Sequence, residues 1–125
     1  MFTKPISRTE WREFFGTFSR KHKGWLVDLQ ILGSDIGAQV EGRALALEGI
    51  IYERDGSSRD TIILMIGSRP NDHITHTISR PLEVNLEQTV EGADVALAIK
   101  AADGTTALLS FRSAALPETV DAVGP

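Results

Sequence analysis

The sequence predicts an α+β, mainly β fold: an N-terminal amphipathic helix followed by a strongly bent antiparallel sheet of six or seven strands, or a small barrel. Three observations predict it. Trp11, Phe14, Phe15 and Phe18 fall at i, i+3, i+4 and i+7, one apolar stripe of a helix. Past Gly24, short alternations of apolar and polar residues recur at strand-like spacing, with Asp55-Gly56 and Asp103-Gly104 marking tight hairpins. Gly49 interrupts a long apolar alternation, where glycine marks a bulge or bend, and a bent sheet can curl around one helix.

The helix is expected over about residues 7–23. Ser7 is placed to cap it with Glu10 completing a capping box, and Ile6 and Trp11 occupy the positions of a hydrophobic staple. Arg20, Lys21, His22 and Lys23 crowd the last turn, and Gly24 suits the left-handed stop. Gly16 inside the helix costs about 1 kcal/mol against alanine, a cost that a close backbone approach would explain.

The sheet is expected over about residues 25–112. Trp25, Val27, Leu29 and Ile31 share one face of the first strand, and Gly33–Gly37 is a loop. Ala38–Glu53 reads as strand in two pieces broken near Gly42, with Leu45, Leu47 and Ile51 opposite Ala46, Glu48 and Ile50. Thr61–Ile66 holds the longest unbroken aliphatic run, so it is expected to be covered on both faces. After Ser68–Asn71, His73–Ser79 alternates with Ile74, His76 and Ile78 on one face and His73, Thr75 and Thr77 on the other. Leu82, Val84 and Leu86 are expected inward, and Val95–Lys100 and Thr105–Arg112 close the meander. The tail, 113–125, adds at most a helical turn starting at Pro117.

A chain of 125 residues fits one domain, 1–125, with no linker or repeat. Without cysteine, disulfides, thiolate metal sites and cysteine nucleophiles are excluded. No stretch has signal-peptide or membrane-span length, so a cytoplasmic protein with no membrane partner is expected. The net charge of −4 is uneven: residues 1–24 carry six basic and two acidic side chains, the rest seven basic and fifteen acidic. Arg20, Lys21 and Lys23 therefore form a candidate patch for an anionic partner, although cations at a helix C-terminus also complement its dipole.

The one local suggestion of chemistry is Asp72, His73 and His76, a candidate ligand-binding set whose imidazoles and carboxylate suit a divalent ion. On a strand, however, positions i and i+3 face opposite ways, which separates His73 from His76. No metal or cofactor is therefore expected, and no catalytic residue is assigned. The sequence lacks a Gly-x-Ser-x-Gly elbow and the glycine-rich nucleotide loops, so the balance is against an enzyme. A helix leading into a small barrel is also how Sm-like RNA-binding proteins are built. The acidic sheet segment opposes phosphate binding, and Tyr52 is the only aromatic between Trp25 and Phe111, so nucleic acid is disfavoured.

Several segments together carry a resemblance: Glu10–Phe15, Phe18–Trp25, Leu47–Ile50, His73–Ile78, Glu91–Asp94, Ala101–Gly104, Phe111–Ser113 and Leu116–Glu118. Over nearly the whole chain they resemble a bacterial family of small proteins of unknown function. The resemblance implies a stand-alone bacterial protein and brings no activity, cofactor or site residue with it. The expected function is a non-catalytic binding or self-association module, with a homodimer or another protein as partner. The alternatives are a metal- or small-ligand-binding domain, enzymatic or not, on Asp72, His73 and His76, and an Sm-like RNA binder.

Overall fold

The computed structural model describes residues 1–35, 37–54 and 59–112. The Asp55-Gly56 turn and the turn expected from Pro117 lie outside them. The elements run β1 (Phe2–Ile6), a 3₁₀ turn (Arg8–Glu10), α1 (Trp11–His22), β2 (Leu26–Gly33), β3 (Gly37–Arg54), β4 (Asp60–Ile66), β5 (Ile74–Ser79), β6 (Pro81–Gln88), β7 (Asp94–Ala101) and β8 (Thr106–Phe111). All pairings are antiparallel, in the order β1-β6-β7-β8-β2-β3-β4-β5. Every sequence-expected strand is present. The sheet ends at β1 and β5 and is open, so the bent sheet rather than the closed barrel is realised.

The eighth strand, β1, was not expected. It pairs with β6 from Phe2↔Gln88 to Ile6↔Val84, yet only Ile6 is buried. With no alternating buried face there is no period to read, and the strand is held by its backbone ladder, by buried Ile6 and by the Thr3 hydroxyl donating to Glu87 Oε1 at 2.8 Å. Pro5 is tolerated there because the strand is an edge.

The helix start also differs from expectation. Glu10 N–H donates to the Ser7 carbonyl at 2.9 Å, closing a 3₁₀ turn, and Ser7 makes no side-chain cap. The capping box is absent because the α-helix proper begins only at Trp11. The staple pair is realised: Ile6 and Trp11 are both buried, and the Trp11 indole N–H donates to the Ile6 carbonyl at 2.9 Å.

The bend resides in β3. Its Gly37–Ala46 part pairs with β2, and from Leu47 onward it pairs with β4, so one strand serves two wings of the sheet. Register shifts opposite Val27, Leu29 and Gln30 coincide with Ala44, whose φ of 54° is left-handed. A further shift between Leu47 and Gly49 is the bulge that Gly49 marked. One extra residue reverses the faces beyond it. Ile50 and Tyr52 therefore point inward and Ile51 is 43% exposed, the opposite of the simple alternation. Leu82 is likewise turned out by a register shift between Pro81 and Glu83, while Val84 and Leu86 are buried as expected.

Past Leu47 one edge of β3 has lost its partner β2, and α1 covers it. The Ser19 hydroxyl accepts from Ile50 N–H at 2.9 Å and donates to Ile50 O at 3.2 Å, satisfying both groups. Trp11, Phe15 and Phe18 then pack into one core with Val27, Leu29, Leu47 and Leu109. On β4, Ile62, Leu64 and Ile66 are fully buried, each contributing about 1.5–3 kcal/mol. Ile63 and Met65 on the other face are only half-buried, so the strand has one closed face and one partly covered face. Gly16 has no backbone near its absent Cβ; the nearest atom is Arg20 Nη1 at 3.6 Å, so no close approach explains it.

Candidate functional site

The register of the β3–β5 wing sets three side chains in a row at its open end. Arg54 pairs with Asp60, and Thr61 pairs with Ser79, which brings Arg80 beside Asp60. Arg80 N–H donates to the Asp60 carbonyl at 3.1 Å, and the Arg80 carbonyl accepts from Ala102 N–H at 2.9 Å. This corner, where the chain leaves β5 for β6, holds Arg80 at φ 53°, a left-handed conformation rare for a side chain of its kind. Arg59 comes from the residue before β4, and Arg12 from the first turn of α1.

Together they enclose a cleft of about 780 Å³ lined by Arg12, Glu53, Arg54, Arg59, Asp60, Thr61, Ser79 and Arg80. Half of those side chains are guanidinium groups. Asp60 does not neutralise them, because its carboxylate is already engaged. Asp60 Oδ2 accepts from Arg8 Nη1 at 2.5 Å and from the Tyr52 hydroxyl at 2.6 Å. Arg8 also donates to the Pro81 carbonyl at 2.9 Å and lies 4.4 Å from the Trp11 ring centroid. Burial, and then the bond to Asp60, raise the Tyr52 pKa above its ordinary value near 10.

Arg12 lies over the Tyr52 ring, 5.6 Å from its centroid. Among the described residues, Arg54, Arg59 and Arg80 make no side-chain hydrogen bond or ion pair. The arrangement offers four guanidinium forks and the Thr61 and Ser79 hydroxyls to an incoming acceptor, a donor set suited to oxyanions.

The sequence-expected residues lie elsewhere. Asp72 accepts from Arg69 N–H at 2.9 Å and from Arg69 Nε at 3.4 Å. His73 is exposed, its Nδ1 3.1 Å from the Gly67 carbonyl and its Nε2 3.2 Å from the Thr75 hydroxyl. His76 lines a different, smaller hollow of about 260 Å³ with Ile31, Ile99 and Asp103. Among the described residues no three His, Asp or Glu side chains converge as a metal set.

At the helix end, Arg20 Nη2 reaches Thr17 Oγ1 at 3.4 Å and Lys21 Nζ lies 3.9 Å from Asp94, while Lys23 is exposed. The third histidine, His22, is buried between Phe18, Trp25 and Phe111, with Nδ1 2.9 Å from the Phe18 carbonyl. Its Nε2 is 3.0 Å from Asp94 Oδ2 but makes no hydrogen bond, so the contact is one of proximity. It ties the end of α1 to the start of β7.

Sequence reading missed the cleft because its arginines are scattered from position 12 to position 80. A faint signal existed: Arg54 and Arg59 bracket the recognised hairpin loop, and Arg80 stands directly before Pro81.

The fold and cleft together describe a mainly antiparallel β protein with one covering helix and an arginine-lined mouth at the end of one wing. The chain belongs to a family of unknown function, DUF5335, whose model matches residues 2–119. It is similar to an uncharacterized protein of the bacterium Aquifex aeolicus (strain VF5), 27% identical over 119 residues. That match covers 94% of this chain and 100% of the relative, so the likeness runs end to end. These findings bear out the resemblance seen in the sequence. No solved structure gives a significant match. Among the described residues, no helix is long and apolar enough to cross a membrane.

Proposed function

We propose that the protein is a non-catalytic binding module whose arginine-lined cleft takes an anionic ligand. The observation carrying this reading is the convergence of Arg12, Arg54, Arg59 and Arg80 on one cleft whose buried acid, Asp60, is already committed to Arg8 and Tyr52. With Glu53 as the one acid left to offset them among the described lining residues, the four like charges repel one another, and that repulsion becomes affinity when an anion arrives. The volume lies within the range of small-ligand sites.

The test is thermal unfolding in sodium sulfate against sodium chloride at matched ionic strength. A ligand of the folded state raises its stability by about 2.7 kcal/mol at a hundredfold excess over Kd. Sulfate should raise Tm beyond chloride, and the Arg54→Ala/Arg59→Ala double variant should lose that excess. Equal Tm in both salts would count against the reading.

A second reading, self-association, has one observation behind it. Ile51, 43% exposed, pairs across β3–β4 with half-buried Ile63 beside Met65, on the wing whose outer strand β5 ends the sheet among the described residues. Sedimentation that detects a dimer in wild type but not in Ile51→Lys would favour it; a monomer at high concentration would remove it.

A further inference from the structure

Resting on the anion-binding reading above, we infer that the ligand of the cleft is an oligophosphate group: two or three linked phosphoryl groups, free or carried at the end of a phosphorylated metabolite.

Charge comes first. With Asp60 engaged by Arg8 and Tyr52, Glu53 is the one remaining acid among the described lining residues against four arginines, a surplus of three positive charges within that set. A single phosphate monoester brings roughly −1.5 to −2 at neutral pH. It cannot balance that surplus, whereas a linear diphosphate or triphosphate does.

Donor chemistry comes second. Every basic side chain of the lining is arginine, whose planar fork donates two parallel hydrogen bonds to neighbouring oxygens of one phosphoryl group. The Thr61 and Ser79 hydroxyls stand beside each other across the β4–β5 ladder and add short-range donors to the same wall. A lining rich in donors, with one free carboxylate, suits a ligand that is all acceptor.

The aromatics complete the argument. Trp11 and Tyr52 are buried, with Arg8 and the lining residue Arg12 laid over them. No open ring remains among the lining residues for a base to stack upon. Recognition therefore resides in the phosphate chain and not in what it is attached to.

Arg80 points the same way. Its φ of 53° is one that glycine adopts freely and a side-chain-bearing residue adopts at a cost. At this corner the strained position carries a guanidinium on the wall of the cleft.

Calorimetric titration of the full chain at fixed ionic strength tests this with orthophosphate, pyrophosphate, tripolyphosphate, citrate and ATP as probes. Tripolyphosphate should bind at least about tenfold more tightly than citrate or orthophosphate, and ATP should bind within about threefold of tripolyphosphate. Arg54→Lys, which keeps the charge and loses the fork, should weaken tripolyphosphate more than citrate. Circular dichroism verifies that the variant is folded, and Arg59→Lys provides a second exposed position for the same comparison. Citrate binding as tightly as tripolyphosphate would overturn the phosphate assignment and leave the anion cleft standing. ATP binding far more tightly than tripolyphosphate would overturn the claim that the phosphate chain is the determinant. Binding of none of the five would overturn this inference and the anion-binding reading together.

Discussion

Replacing Asp60 with alanine should lower stability and strengthen anion binding at the same time. Asp60 Oδ2 is the acceptor for the buried Tyr52 hydroxyl at 2.6 Å, a hydrogen bond to a charged group worth about 1.5–3 kcal/mol. Its bond to Arg8 is worth less, about 0–1 kcal/mol, because the Arg8 side chain is 47% exposed and screened by water. Arg8 also keeps its bond to the Pro81 carbonyl. The sum is a loss of about 1.5–4 kcal/mol, read by urea unfolding with an unchanged m-value. Tyr52→Phe should already remove much of it, so the double variant should show a coupling of at least about 1 kcal/mol. Meanwhile Asp60→Ala removes a negative charge from the cleft wall and frees Arg8, so pyrophosphate should bind more tightly. A loss below about 0.5 kcal/mol would refute the reading of Asp60 as the anchor of this end of the fold. Weaker pyrophosphate binding would refute its role as an internal counter-charge.

Four further predictions follow from the same geometry. Leu64→Ala, on the closed face of β4, should cost about 2–5 kcal/mol by denaturant unfolding, and Ile63→Ala, on the half-covered face, clearly less; equal costs would contradict the two-faced reading of this strand. Arg80→Gly should relieve a left-handed backbone and raise stability by up to about 1 kcal/mol, while weakening pyrophosphate binding in calorimetry. Gly16→Ala should stabilise by about 0.5–1 kcal/mol, since only the flexible end of Arg20 stands near the new methyl group. Because the Tyr52 pKa is raised in the folded state, its contribution is complete below pH 10.0 and is lost as pH rises through the folded value. Wild type should therefore lose stability above pH 10 more steeply than Tyr52→Phe.

The fold was legible where burial alternates cleanly. Val27, Leu29 and Ile31 on β2 write a period of two into the sequence, and the helix stripe from Trp11 to Phe18 writes one of 3.6, whereas the unbroken aliphatic run of β4 carries no period and hid that only its Ile62, Leu64 and Ile66 face is closed. It was illegible where one residue changes the count. The extra residue at the Gly49 bulge exchanges the faces of Ile50 and Ile51, and the sequence marks the bulge without saying which side of it keeps the old phase. β1 is held by backbone pairing with a single buried side chain, so it left no pattern.

The cleft was hidden for a different reason. Local density drew attention to Asp72, His73 and His76, yet strand geometry separates the two imidazoles, as period two requires. Arg12, Arg54, Arg59 and Arg80 are brought together by tertiary packing and by the β3–β4–β5 register, neither of which a local spacing rule contains.

The most direct measurement of the central claim follows the arginine Nε–Hε resonances by NMR as pyrophosphate is added. The account predicts that those of Arg12, Arg54, Arg59 and Arg80 shift together along one saturating curve. Arg43, exposed on the far part of β3, and Arg69, paired with Asp72, should stay in place. Uniform small shifts across all arginines, or none at the cleft, would contradict it.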